Sequence, residues 1–231
     1  MPIKEIEKIF RNLSIPYEFG GNPDIDDYDW LYEWCDEVVK KQIGLPHTYS
    51  HGVSKLVFIL DNCDWVVKIP FNGYYEKVWN KEKDEYDEEQ TNWVPFKYAD
   101  GSWDYCNLEL EKYEKLQELD LECFLAEIRY LCSDCDNHPM YIQEKIIPCC
   151  NDKKKRTPSE KSLTKAKNLF YHFDKIWIAT AIDFYGEKKT LEFLDYIENI
   201  DQDMGEDLHS GNYGYREDGS PCLLDYSGWN D

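Results

Sequence analysis

With 231 residues, 42% of them hydrophobic, and with 18 Tyr, 10 Phe and 8 Trp, the chain has apolar mass for one large domain or two small lobes. A disordered chain is excluded by that composition. The formal charge of −21 disfavours direct binding to nucleic acid or an anionic membrane, whose phosphates would be repelled.

Residues 1–45 read as a helical lead-in. Lys4 to Leu13 carries Ile6, Ile9, Phe10 and Leu13 at helical spacing, and Asp29 to Ile43 repeats the pattern with Trp30, Trp34 and Val38. Met1 to Phe10 mixes charged and apolar residues, unlike the continuous apolar stretch of a signal peptide. Ser54 to Leu60 and Cys63 to Pro70 are β-rich runs around Asp61-Asn62, a hairpin signal. Residues 72–104 are aromatic, charged and aperiodic, so a long insertion or loop is expected there. Cys106 to Leu119 is helical in pattern, and Phe124 to Cys132 and Met140 to Ile147 form a second pair of strands around a turn-rich segment. Thr157-Pro158-Ser159-Glu160 combines a capping residue, a first-turn Pro and a Glu, which predicts a helix start at Thr157. Helices are expected from there through Phe184, closing at Gly186, and again over Lys188 to Ile200. Strands first with one helix among them, then helices and two acid-rich loops, give an α+β chain of two lobes. The expected division is a helical extension 1–45, a sheet lobe 46–147 with an insertion at 72–104, and a helical lobe 148–231.

The nine cysteines are scattered through a chain too large to need disulfide staples, so a reducing cytoplasm is expected. Cys132-x-x-Cys135 with Cys149-Cys150 has four thiols, but adjacent cysteines rarely share one metal, and the run Met140 to Ile147 reads as a strand holding the pairs apart. No apolar run approaches the roughly 18 residues of a membrane span.

The chemistry gathers near the end of the chain. Asp207 and Asn212 stand five residues apart, and Asp225 follows after apolar Leu223-Leu224. Phosphoryl transfer needs that set: a carboxylate to orient the attacking hydroxyl, and an amide oxygen and a carboxylate to hold magnesium at the phosphates. Upstream, alternation in Trp65-Val66-Val67-Lys68-Ile69 puts Lys68 on the strand face of Val66. There it is either an edge lysine facing water or an ammonium held over phosphates. Helix 106–119 offers Glu109, Glu111 and Glu114. Glu109 falls beside Tyr113 and Leu116 on the apolar stripe, where a carboxylate needs a partner, so Glu109 is chosen.

In this order the residues resemble the protein-kinase-like superfamily. Asp207-x-His209-x-x-Asn212 resembles the catalytic loop of the aminoglycoside and choline phosphotransferase branch, and Leu224-Asp225-Tyr226-Ser227-Gly228 is similar to the magnesium-binding loop after the catalytic hairpin. Val66-Val67-Lys68 resembles the Val-Ala-Ile-Lys strand. The resemblance covers roughly residues 46 to 230. It implies a bilobal kinase-like fold, with a small antiparallel-sheet lobe holding one helix and a reduced, mainly helical second lobe. Asp207 would be the catalytic base, Asn212 and Asp225 the Mg2+ ligands, Lys68 the phosphate anchor and Glu109 its partner. ATP would meet Gly52, Val53, Val66 and Lys68 on one side. Ile142 to Ile146 would be the hinge, with backbone groups of Glu144 and Ile146 at adenine, and Leu224 would also line the nucleotide.

The sequence departs from the family pattern in three places. Tyr49 to Lys55 has one glycine, Gly52, where protein kinases have three; Glu206 stands where relatives often have Gly or Arg; and only six residues follow Asp225, so the usual acceptor platform is expected to be missing. The expected function is transfer of the γ-phosphate of ATP to a hydroxyl of a protein or small molecule. The alternative is a non-catalytic kinase-like binder, in one version an acidic DNA mimic or counter-defence protein that blocks a basic partner. Small size and the early end carry the expectation of a phage or mobile-element origin and a host cytoplasm.

Overall fold

A computed structural model describes residues 1–15, 36, 40–44, 47–52, 54–80, 83, 85–99, 101–152, 156–169, 173–206 and 208–228, with backbone alone at 72–76, 78–80, 85–97 and 102. The order is α1 (Ile3–Phe10), α2 (Lys40–Ile43), β1 (His47–His51), β2 (Lys55–Leu60), β3 (Trp65–Asn80), β4 (Glu85–Tyr98), α3 (Tyr105–Glu118), β5 (Ile128–Ser133) and β6 (Pro139–Glu144). Then follow β7 (Ile147–Pro148), α4 (Glu160–Lys167), α5 (Lys175–Tyr185), α6 (Glu187–Asn199), α7 (Gln202–Glu206), β8 (Tyr213–Tyr215) and β9 (Pro221–Leu223). The chain is α+β, and it divides into two compact units: unit 1, Met1–Asn107 with Arg129–Gln143, and unit 2, Leu108–Ile128 with Glu144–Asp231. No helix among the described residues is long and apolar enough to cross a membrane.

Unit 1 is built on a sheet in the order β1-β2-β3-β6-β5, with β4 paired to β3. The β2–β3 hairpin turns at Asp61-Asn62, where Asn62 takes a φ of 52°, a conformation asparagine tolerates better than most residues. Strand alternation sends Leu56, Phe58, Leu60, Val67, Ile69 and Phe71 to one face, all fully buried. Ile6 and Phe10 of α1 pack into the same core, with the Phe10 and Phe58 rings 5.8 Å apart. Each such fully buried apolar side chain contributes roughly 1.5–3 kcal/mol. The lead-in helix is thus part of this core. Of the second expected helix the described part is α2 and Asp36; the remainder of residues 29–39 lies outside the described residues.

The loop expected at 72–104 is a correction. β3 runs on to Asn80 and pairs antiparallel with β4, from Phe71 opposite Tyr98 to Asn80 opposite Glu85. Register shifts between Asn72 and Gly73 and between Lys77 and Trp79 explain why the segment reads as aperiodic. Each extra residue flips the side-chain parity, which erases the period-two signal while leaving the backbone paired.

Unit 2 packs helices around stacked aromatic rings: Phe124 lies parallel to Phe193 at 4.4 Å, and Trp177 meets Phe173 edge-on at 4.6 Å. Beside them β7, β8 and β9 form a small antiparallel sheet. Helix α4 starts at Glu160, with Ser159 rather than Thr157 as its cap. Asp183 causes the shift: its carboxylate accepts from the Ser159 N–H at 2.6 Å and from the hydroxyls of Ser159 and Ser162 at 2.8 and 2.7 Å. That tertiary contact holds Ser159 in an extended conformation suited to a cap. Gly186, at φ 87°, closes α5.

Candidate functional site

The closing stretch of unit 2 folds as a hairpin between two loops. Tyr213 pairs with Leu223 and Tyr215 with Pro221, so Asn212 and Leu224 meet at the open end. There the Asn212 carbonyl accepts two hydrogen bonds, from the Leu224 N–H at 2.9 Å and the Asp225 N–H at 3.3 Å. An amide residue and a carboxylate residue from two separate loops are thereby anchored at one backbone group. Asn212 is 6% exposed and Asp225 half-buried.

Both loops are held from behind. The Asn212 N–H donates to the His209 carbonyl at 2.8 Å, and the Gly211 N–H to His209 Nδ1 at 3.0 Å. In the second loop the buried Tyr226 hydroxyl donates to the Ala126 carbonyl at 2.8 Å, and Ser227 Oγ donates to Asp225 Oδ1 at 3.3 Å. Gly228, at φ 76°, packs so closely on α7 that a Cβ would stand 2.7 Å from the Asp203 carbonyl carbon. Gly214 is equally constrained, since a Cβ there would lie 2.1 Å from the Ile147 carbonyl oxygen of β7. Asp207, the expected base, lies outside the described residues, as does Val53.

On α3, Glu109 is fully buried while Glu111 and Glu114 are exposed. From Leu108 onward this helix belongs to unit 2, where Lys112 donates to Asp201 at 2.8 Å. Glu144, half-buried at the end of β6, donates its N–H to the Glu127 carbonyl at 2.8 Å. Any adenine contact at Glu144 therefore falls to its carbonyl oxygen. Ile146 and Leu224 are half-buried.

In unit 1, Lys68 is 3% exposed and so is not an edge lysine facing water. Val66, on its face of β3, is 8% exposed, and Ile142 is fully buried in the apolar core on the other face. The Gly52 N–H donates to the Lys55 carbonyl at 2.9 Å, which commits that amide within the β1–β2 turn. Nothing lies within 4 Å of where a Gly52 Cβ would stand.

Sequence reasoning passed over two groups. Asp104 caps α3 by accepting from the Asn107 N–H at 2.9 Å and takes the Tyr141 hydroxyl at 2.7 Å. Burial raises its carboxyl above the ordinary value, against those hydrogen bonds and the charge of Lys55. The second is Asp134, Asp136 and His138 in the β5–β6 turn, whose ligand atoms lie within 4.8 Å of one another. Asp134 Oδ1 accepts from the N–H groups of Asp136 and His138, each at 2.9 Å, and Oδ2 from the Ile15 N–H at 3.2 Å, with His138 Nδ1 at 3.0 Å. These contacts define a turn cap. Its cue in sequence is the run Ser133 to Asn137 between two strands.

No protein-family model matches the chain, and no curated protein matches it.

Proposed function

We propose that the chain is an ATP- and Mg2+-dependent kinase-like phosphotransferase that transfers the γ-phosphate to a hydroxyl of a protein or small molecule. The observation that carries this reading is the pairing of Asn212 and Asp225 at the open end of the β8–β9 hairpin, both tied to the Asn212 carbonyl. Magnesium takes oxygen ligands and is usually held by one or two carboxylates together with substrate phosphates. An amide oxygen and a half-buried carboxylate fit that preference. When bound, the ion would neutralise charge on the transferred phosphoryl group.

The remaining roles follow the resemblance. Asp207 orients the acceptor hydroxyl, Lys68 anchors the nucleotide phosphates with Glu109 as its counter-charge, and the Glu144 carbonyl and the backbone of Ile146 meet adenine. Burial of Lys68 within unit 1 and of Glu109 within unit 2 supports a charged role for each, because a buried charge is kept only where it is paired. Unit 1 is read as the sheet lobe and unit 2 as a reduced helical lobe of a kinase-like fold. Supporting this are the antiparallel β1–β2–β3 hairpins, the helix α3 before β5, and a second unit of helices with the β8–β9 hairpin. The compartment is read as the cytoplasm.

The formal charge of −21 favours one second reading, a non-catalytic kinase-like protein that blocks a basic partner. Transfer of labelled γ-phosphate from ATP, to the protein itself or to cell extract, separates the two. Under the enzyme reading transfer occurs and disappears in Asp207→Ala, while Asp225→Ala needs more Mg2+ to reach the thermal stabilisation by MgATP. Absence of transfer together with tight, salt-sensitive binding to a basic partner would leave the second reading.

A further inference from the structure

Helix α7 meets both loops of the candidate site. It ends at Glu206, which Asp207 follows directly in the chain. Gly228 of the Asp225 loop packs on its first turn, so closely that a Cβ would stand 2.7 Å from the Asp203 carbonyl carbon. A helix of five residues has too few internal hydrogen bonds to hold its own position. Its neighbours hold it instead. Met204 is fully buried, and a Cβ at Gly205 would lie 2.7 Å from the Ile197 carbonyl oxygen of α6. Asp201 caps the helix, its Oδ1 accepting from the Met204 N–H at 3.3 Å.

That cap is fixed from α3. Lys112, 89 residues upstream, donates to the same Asp201 Oδ1 at 2.8 Å. The two side chains are only 16% and 11% exposed, so their attraction is screened less than that of a surface pair. A second ion pair, Lys189 with Asp120 at 3.0 Å, ties the segment after α3 to the first turn of α6. It bears on the packing of α3 against α6 but not on the cap of α7. The two pairs therefore separate a general bond between helices from one that reaches the site.

We propose that Lys112 is a positioning residue of the phosphoryl-transfer site: through Asp201 it fixes α7, and through α7 it sets the loops of Asp207 and Asp225. This rests on the reading of Asp207 as the base and Asp225 as a metal ligand. Its competitor is an ion pair that only stabilises unit 2.

Transfer of labelled γ-phosphate from saturating MgATP, to the chain itself or to cell extract, decides between them at a temperature where every variant is folded. Lys112→Met should lower the rate about tenfold or more, since small displacements of reacting groups cost rate steeply. Lys189→Met should keep the wild-type rate. Asp201→Asn retains a capping side chain but loses the charge, and combined with Lys112→Met it should lose no more than Lys112→Met alone. A Lys112→Met chain that melts lower yet transfers at the wild-type rate overturns the positioning role and leaves the phosphotransferase reading standing. So does an equal rate loss in Lys189→Met, or additive losses in the double variant. A wild-type chain that transfers nothing removes both. Should Lys112→Met fail to fold, the double variant, which strands no buried carboxylate, answers by the same threshold.

Discussion

The Arg216 guanidinium closes on the Glu144 carboxylate, its Nε donating to the two oxygens at 2.9 and 3.0 Å. Its other N–H groups reach the carbonyls of Cys123 at 3.0 Å and Leu125 at 2.7 Å and the Tyr185 hydroxyl at 3.0 Å. One side chain thus joins the end of β6, the segment after α3, helix α5 and the end of β8, all within unit 2. Arg216→Met should destabilise unit 2 by about 2–4 kcal/mol, since it strands a carboxylate and two carbonyls at once. Arg216→Lys should recover little, because a single ammonium cannot span that fork. Urea unfolding measures both, and wild-type stability in Arg216→Lys would remove the hub role.

Gly228 controls how the Asp225 loop meets α7. Its φ of 76° and the 2.7 Å from a would-be Cβ to the Asp203 backbone make any side chain doubly unfavourable. Gly228→Ala should cost about 1–3 kcal/mol in backbone strain alone, and more where the backbone must move away. Gly52→Ala is the contrasting case, because nothing stands within 4 Å of its would-be Cβ. Paired thermal melts should show a lowered Tm for Gly228→Ala and little change for Gly52→Ala.

Asp218 fastens the turn of the β8–β9 hairpin. Its Oδ1 accepts from the Ser220 N–H at 2.8 Å and the Ser220 hydroxyl at 2.7 Å, and those bonds hold its carboxyl below the ordinary value. A lowered folded-state value means that the unfolded chain binds the proton more readily. The stabilisation is therefore complete above the ordinary carboxylate range near about 4 and is lost as pH falls through the folded-state value. Asp183 behaves alike: burial works against its charge, but the Ser159 and Ser162 hydrogen bonds more than offset it. Asp218→Asn should flatten the acid limb of the urea midpoint plotted against pH, and Asp183→Asn should do the same independently. An unaltered slope in Asp218→Asn would mean that the turn gains nothing from the ionised carboxylate.

What could be read from the sequence was local, and what could not was carried by long-range partners. The β2–β3 hairpin is announced by Asp61-Asn62 and α3 by its apolar spacing; the end of α5 is marked by Gly186. Placing Glu109 on the buried side of α3 needed only helical geometry. The β3–β4 hairpin stayed hidden because two register shifts scramble its alternation. The cue at Thr157 lies two residues before the observed cap because Asp183, 24 positions from Ser159, selects Ser159. Arg216 gave no signal, since its partners lie 72 to 93 residues upstream except for Tyr185.

Because Asn212 and Asp225 share one backbone anchor, the proposed ion would make their contributions interdependent. In the wild type, ATP at about 100 times its Kd should stabilise the chain by about 2.7 kcal/mol in the presence of Mg2+, a rise in Tm of several degrees, and EDTA should erase it. Asp225→Ala should raise the Mg2+ needed for half of that effect by about tenfold or more, as a charged ligand is lost. Asn212→Ala should raise it less, because a neutral oxygen donor is removed. In the double variant the second loss should add little to the first, the mark of two groups acting on one ion. Fully additive losses would mean that the two residues act separately, and the pairing at the open end of the hairpin would then be a loop contact with no shared metal.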